Sequence, residues 1–458
     1  MASANQQQDG SPRRVPEEAS IRRDVLRLAL PATAEQVLAM MVGIVDTYLV
    51  GHLGATSLAA VGLAAQWTML AATLFGAIST GSTALIARLV GARDQDVANQ
   101  VVRQSMLLGL LIGAATTLLG ISLAQPALRL LGAASDVAAT GGSYLRLVSC
   151  VFLFSTLTFL GNACLRGAGD TRTPMAIMAV VNVVNIVVAW TFINGPFGLP
   201  KLGVLGSALG AASGAVVGGA LVVSTLLRGR GILRLRLDHL RLDWSLIRRI
   251  LNVGLPTGVE QILLRIGFMV FASILSGLGT AAYAANQVAI NGWSLSFMPG
   301  FGFSVAATTL VGQSLGAQRP DLAERRGMTT YWMGALTMTT IGLAFLFFPR
   351  EIVSFFTNDP QVIALGTGPL RMAGWLQPIS AASMIFSGAL RGAGDTRYPM
   401  VATGLSIWLV RLPLAYLLAH VVGWGLQGAW VGMVADIGVR AAFNYVRFRS
   451  GRWKLVKV

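Results

Sequence analysis

Apolar residues run along this chain in long unbroken blocks rather than in alternation. A helix crossing the ~30 Å hydrocarbon core of a bilayer needs about 20 mostly apolar residues. That length recurs near 26–50, 57–80, 102–125, 141–163, 174–194, 203–227, 250–275, 283–312, 327–349, 366–389, 400–421 and 425–446. The pattern predicts an all-α integral membrane protein with twelve transmembrane helices. Barrel strands would alternate over ~10 residues each, and these blocks do not. Met1 to Arg23 is polar and expected to be disordered. The first apolar block is too long for a signal-peptide core and no small-residue cleavage site follows it, so it is read as the first span.

Hydrophobic residues make up 54% of the chain and charged residues 12%, against about 25% charged in soluble domains. A water-soluble enzyme and a disordered chain are both excluded. The formal charge of +16 is explained by its placement. With the N-terminus inside, 28 of the 35 Lys and Arg residues fall in inner segments, as basic residues do in cytoplasmic loops. Both termini are therefore expected in the cytoplasm of a plasma (inner) membrane protein, with the positive side facing anionic lipid. No segment is long enough for a folded basic domain, so no nucleic-acid partner is expected. Nothing calls for an oligomer, and a monomer is expected. Cys150 and Cys164 share one apolar stretch, and His52, His239 and His420 are scattered, so neither set makes a disulfide framework or a metal site.

An internal repeat organises the blocks. Leu165–Met175 reads LRGAGDTRTPM and Leu390–Met400 reads LRGAGDTRYPM, ten of eleven positions matching at an offset of 225. The same offset places Pro31, Glu35 and Gln36 on Pro256, Glu260 and Gln261. Two six-helix halves of parallel topology follow, related by an axis along the membrane normal, an arrangement that commonly encloses a midplane site. The expected division is a disordered N-terminus over 1–24, one lobe over 25–228, a basic cytoplasmic linker over 229–248, a second lobe over 249–447 and a basic tail over 448–458. In the repeated block, Thr173 can cap the following helix, while Asp170, Asp395, Arg166 and Arg391 are read as structural charges at helix ends; a gating exchange of these pairs is the sharper alternative.

An ionisable group at mid-membrane costs at least a few kcal/mol and is a functional candidate by default. Asp46 lies about twenty residues into the first span. At the repeat offset its mate is Phe271, and the mates of Asn182 and Asn185 on the fifth span are Ile407 and Val410. Polar chemistry is thus concentrated in the first half. Burial works against the charged form of a carboxylate, and amide hydrogen bonds decide which form is held. Asp46, with Asn185 or Asn182, is accordingly the expected cation-coupling site, carrying H⁺ or helping to hold Na⁺; the bland reading of Asp46 is a hydrogen-bonding partner between helices. Glu35 and Glu260 are read first as acids at positive helix ends and second as cavity or gate residues, together with Arg265, Gln66, Met69 and Trp190. Arg411 and Asp436, on the last two spans, are expected to pair structurally, although Arg440 is also in reach of Asp436. Trp67, Trp190, Trp293, Trp375 and Trp424 are more often interfacial belt residues. Met40, Met41, Met69, Met298 and Met384 would suit an adaptable cavity.

The paired halves, the Pro-x-x-x-Glu-Gln start, the VDTYLVGHLGA block at Val45–Ala55 and the twice-used LRGAGDTR-x-P motif resemble the multidrug and toxic compound extrusion (MATE) family of secondary antiporters over roughly residues 25–450. The resemblance implies alternating-access export of amphipathic, often cationic compounds, with no cofactor beyond a coupling ion. Asp46 matches the family's first-helix acid, and Asn185 matches the fifth-helix amide of the DinF-like branch. That branch places a second carboxylate four residues on, where this chain has Ala189. The Na⁺-associated acids of the other bacterial branch fall on Leu264 and Ser380. With one membrane carboxylate an oxygen cage is hard to assemble, so H⁺ is favoured over Na⁺. A lipid-linked sugar flippase of the same superfamily is the alternative; it would want a basic cavity, and the only mid-span arginines are Arg265 and Arg411. An enzyme is not expected, because no Ser-His, His-Glu or paired-Asp spacing is present.

Overall fold

The structure, a computed structural model, describes residues 17–456 apart from 131, 133, 230 and 237–240. Residues 1–16 of the expected disordered terminus, and His239 in the linker, lie outside the described residues. The helices are α1 (Glu17–Gly51), α2 (Ala55–Gly91), α3 (Gln95–Leu130), α4 (Ser135–Ser149), α5 (Phe152–Gly167), α6 (Arg172–Asn194), α7 (Val204–Arg228), α8 (Trp244–Ser276), α9 (Thr280–Gly316), α10 (Pro320–Phe347), α11 (Pro349–Phe356), α12 (Pro360–Gly392), α13 (Arg397–Ser406), α14 (Leu412–Tyr416) and α15 (Gly425–Arg449). Among the described residues there is no strand.

These make twelve membrane-crossing rods in two pseudo-twofold-related six-helix bundles, α1–α7 and α8–α15. The fourth rod is α4 and α5, bent by 51° at Cys150–Val151. The eleventh is α13 and α14, linked and extended by two π-helical turns, Ile407–Arg411 and Leu417–Val421. Pro413 has no N–H to give the Leu409 carbonyl and its ring crowds that group; the wider π turn just before it relieves the crowding. Among the described residues nine rods, or ten with the bent pair, are long and apolar enough by themselves to span a membrane. The other two, α12 and α15, carry Pro369, Pro378, Asp436 and Arg440. Much of their surface is buried in protein, where lipid does not demand apolarity.

The expected disorder at 17–24 gives way to helix for a packing reason. Ile21, Val25, Leu28 and Ala29 of α1 are buried in one apolar cluster with Phe303, Ala306 and Leu310 of α9, and Asp24 meets Arg326 of α10 at 2.9 Å. The start of the first lobe is thus anchored in the second. The tail also folds back, with Trp453 stacked on Phe448 at 5.0 Å between ring centres.

On the side of the termini the lobes approach backbone to backbone. A Cβ on Gly316 would lie 1.9 Å from the Arg88 carbonyl oxygen, so only glycine permits this crossing of α9 and α2. Hydrogen bonds reinforce the contact: Thr309 Oγ1 donates to the Arg166 carbonyl at 2.9 Å, and Arg88 Nη2 to that of Ala393 at 2.9 Å. Arg265 also donates to the Met69 carbonyl of the other lobe, at 3.5 Å.

Candidate functional site

Asp46 stands on α1 with 8% of its surface exposed. Its neighbours are neutral. Ser207 Oγ of α7 donates to Asp46 Oδ1 at 3.3 Å. The Asn185 amide of α6 stands beside the carboxylate, although neither of its polar atoms reaches full hydrogen-bond geometry with a described residue. Tyr144 of α4 is buried within electrostatic reach of Asp46 and of the Ser207 hydroxyl. Four helices therefore meet around one acid.

Close packing of α6 on α7 builds that corner. A Cβ on Gly210 would sit 2.6 Å from Ala189 Cβ and 2.7 Å from the Asn185 carbonyl oxygen. Ala189, the place where the resemblance puts a second acid, is fully buried against this glycine, and a carboxylate there would meet backbone. Asn182 does different work: its Nδ2 donates to the Leu38 carbonyl at 3.0 Å and to that of Met178 at 2.8 Å, stapling α6 to α1. The two amides thus do not converge on Asp46.

The other buried acids all meet arginines. Arg166 Nη1 donates to Glu35 at 2.6 Å, and the repeat mates Arg391 and Glu260 pair at 2.8 Å, with Thr403 Oγ1 adding a bond to Glu260 at 3.0 Å. Arg166 and Arg391, read as structural charges at helix ends, each reach inward to a carboxylate on the first helix of their own lobe. Asp170, not Thr173, is the capping acceptor at α6, taking the Thr173 N–H at 3.0 Å and hydroxyl at 2.6 Å. Asp395 instead holds Arg447 at 2.7 Å. Asp436 pairs with both Arg411 and Arg440, the latter at 3.0 Å.

The lobes differ by one residue of register. Gly432 of α15 packs on the Arg411 carbonyl oxygen and on Ala415, as Gly210 of α7 packs on those of Asn185 and Ala189. The π turn at Ile407–Arg411 inserts the extra residue. Arg411, not Val410, is therefore the structural counterpart of Asn185.

Two stretches of the chain, 31–191 and 256–417, match the MatE family, one in each lobe and in the register of the internal repeat. The chain belongs to the MatE family. This MatE protein is 34% identical over 435 residues to the probable multidrug resistance protein NorM of Thermotoga maritima, across 95% of this chain and 93% of that one. It is 28% identical to an uncharacterized transporter, YisQ, of Bacillus subtilis, across 93% and 94%. A solved structure described as the outward-facing conformation of a multidrug resistance MATE family transporter of the MOP superfamily shares the fold, with a TM-score of 0.88 at 22% identity over 95% of this chain and 98% of that one. The MatE protein is a multi-pass membrane transporter and not an enzyme.

Its remaining candidate residues are dispersed. Met69 accepts from Arg265 across the lobes, while Gln66 and Trp190 are exposed on α2 and α6. Trp293, read as a belt residue, is 2% exposed and packs on Trp430 and Phe297 inside the second lobe. Leu264 and Ser380 both line a cavity in that lobe. Ser207 and Tyr144 escaped the sequence reading, and no group of three or more His, Cys, Asp or Glu suited to a metal occurs among the described residues.

Proposed function

We propose that this MatE transporter is a secondary antiporter that exports amphipathic, often cationic organic compounds by alternating access, in exchange for H⁺, with Na⁺ as the second choice of ion. One observation carries the assignment of the coupling site. Of the buried carboxylates among the described residues, Glu35, Asp46, Glu260, Asp395 and Asp436, four sit against arginine and Asp46 alone has only neutral polar neighbours. An acid held by arginine is already neutralised as a pair. An acid held by Ser207, with an amide standing beside it, can be neutralised by a proton or a cation, and the two exclude each other. The name of the Thermotoga relative supports the cargo class.

The lobes are pinned together on the side of the termini, and the Lys/Arg distribution supports a cytoplasmic position for that side. The conformation is accordingly read as closed inside, with Asp46 poised to exchange its ion with the outside. Binding of the coupling ion favours one state and cargo the other, because a ligand shifts an equilibrium only by its differential affinity. The test is efflux of a fluorescent cation from reconstituted vesicles under an imposed pH gradient and, separately, an imposed Na⁺ gradient. The pH gradient is expected to drive efflux, and Asp46→Asn to abolish the response while the protein still folds. Normal gradient-driven efflux by Asp46→Asn would overturn the site assignment.

A further inference from the structure

The second lobe holds a partly open cavity of about 320 Å³, inside the ~300–1,000 Å³ range of small-molecule sites. Its charged lining is Arg265, Arg391, Arg411, Arg440 and Glu260. Glu260 is taken up by Arg391 and Thr403, and Asp436 by Arg411 and Arg440. Four guanidinium groups thus face two carboxylates, leaving the cavity with excess positive charge.

The donors that remain are buried and unused. Arg411 is 1% exposed; one terminal nitrogen goes to Asp436, while Nε and Nη1 have no hydrogen-bond partner among the described residues. Its guanidinium lies 4.8 Å from the centre of the Phe268 ring. Ser380 and Ser387 on α12 line the same cavity with hydroxyls that are also buried and unpartnered, as is Asp436 Oδ1 behind them. A buried donor left without an acceptor costs free energy, and a guanidinium N–H gives an oxyanion a charge-assisted hydrogen bond. Phe268, Trp293, Phe297 and Phe301 supply flat apolar walls. The π turn that places Arg411 where the first lobe has Asn185 is what brings this charge to the cavity.

We propose that this cavity is an anion site for a compact oxyanion on a flat apolar body, that is, an aromatic carboxylate. The carboxylate is held by Arg411 with Ser380 or Ser387, and the ring lies against Phe268 and Trp293. As cargo binding, this rests on the transport reading above: one lobe would carry the acid that takes the coupling ion, and the other the base that takes an acidic group of the cargo.

The test is calorimetric titration of the purified full-length protein in neutral detergent with 2-naphthoate, 2-naphthamide and 2-naphthylmethylammonium. The carboxylate is expected to bind about tenfold or more tighter than the amide, the discrimination that one charge-assisted pair supplies. Arg411→Met combined with Asp436→Asn, which strands no charge, is expected to erase that preference. Arg265→Gln, at the more open part of the cavity, is expected to weaken it and guards against misfolding of the double variant. Asp46→Asn is expected to keep the preference for naphthoate over naphthamide, whatever its effect on overall affinity, while losing gradient-driven efflux, so that failure of the coupling assignment is told apart from failure of this one. Displacement of naphthoate by phosphatidylglycerol, but not phosphatidylcholine, in nanodiscs would support the oxyanion site with a lipid headgroup as its source. Equal affinity for acid and amide, or a preference unchanged in both arginine variants, would overturn it.

Discussion

Arg166 and Glu35 meet at 2.6 Å between α5 and α1, and the same bond recurs one repeat along between Arg391 and Glu260 at 2.8 Å. Each pair ties the end of the LRGAGDTR helix to the first helix of its lobe. Both partners are largely shut from water, so removing one strands the other. Arg166→Met is expected to cost about 3 kcal/mol, and Arg166→Met with Glu35→Gln much less, because the penalty lies in the unpaired charge rather than in the lost bond. Thermal unfolding in detergent checks both; a single variant as stable as the parent contradicts the account.

Gly210 sets the distance between α6 and α7 and so the place of Asn185 beside Asp46. Gly210→Val would put atoms where the Ala189 side chain and the Asn185 carbonyl now lie. Overpacking of this kind costs typically ~1–3 kcal/mol. Gradient-driven efflux is expected to fall with stability, while Gly62→Val, where a Cβ meets nothing within 4 Å, is expected to leave both intact. Vesicle efflux alongside unfolding temperature separates the cases.

The twelve rods were legible because bilayer thickness fixes an apolar length, and the two lobes because a repeated eleven-residue block fixes an offset. Asp46 was legible because a charge inside a span needs a reason. Its partners were not. Ser207 hides among the small residues of a Gly-rich helix, and Tyr144 lies in α4, whose bend no proline announces. The reach of Arg166 and Arg391 was missed because their neighbours in sequence, Asp170 and Asp395, offered a nearer explanation. The one-residue slip at Arg411 was missed because the offset came from blocks preceding it. The slip is visible only in the packing, where Gly432 meets Arg411 and Ala415 as Gly210 meets Asn185 and Ala189.

The glycine crossing of α9 and α2 makes the closed side a switchable contact. Gly316→Ala would force its Cβ against the Arg88 carbonyl, backbone against backbone, so the clash is relieved only if the lobes part. The variant is expected to shift the population away from this state. Spin-label distances between cysteines placed at Asp96 and Asp321, which begin α3 and α10 on that side, are expected to lengthen. An unchanged distance distribution in folded protein would contradict the role of this contact as the inner closure.

The π turn at Ile407–Arg411 gives a last prediction, because it separates the effect of a residue from the effect of its register. Leu409 is 68% exposed, so Leu409→Ala is expected to change stability by no more than about 0.5 kcal/mol. Deleting Leu409 restores ordinary helical pitch, in which each residue advances about 100° around the axis. The rod then cannot keep both the Thr403 contact with Glu260 upstream and the Arg411 contact with Asp436 downstream. The upstream contact is backed by Arg391 on Glu260, so the slip falls on Arg411, which loses Asp436 inside the lobe at an expected cost of about 3 kcal/mol or more. Unfolding temperatures of the two variants in detergent decide the matter: a deletion as benign as the substitution would mean that the extra residue is only slack beside Pro413, whereas a large gap between them means that the added residue aims Arg411 at Asp436.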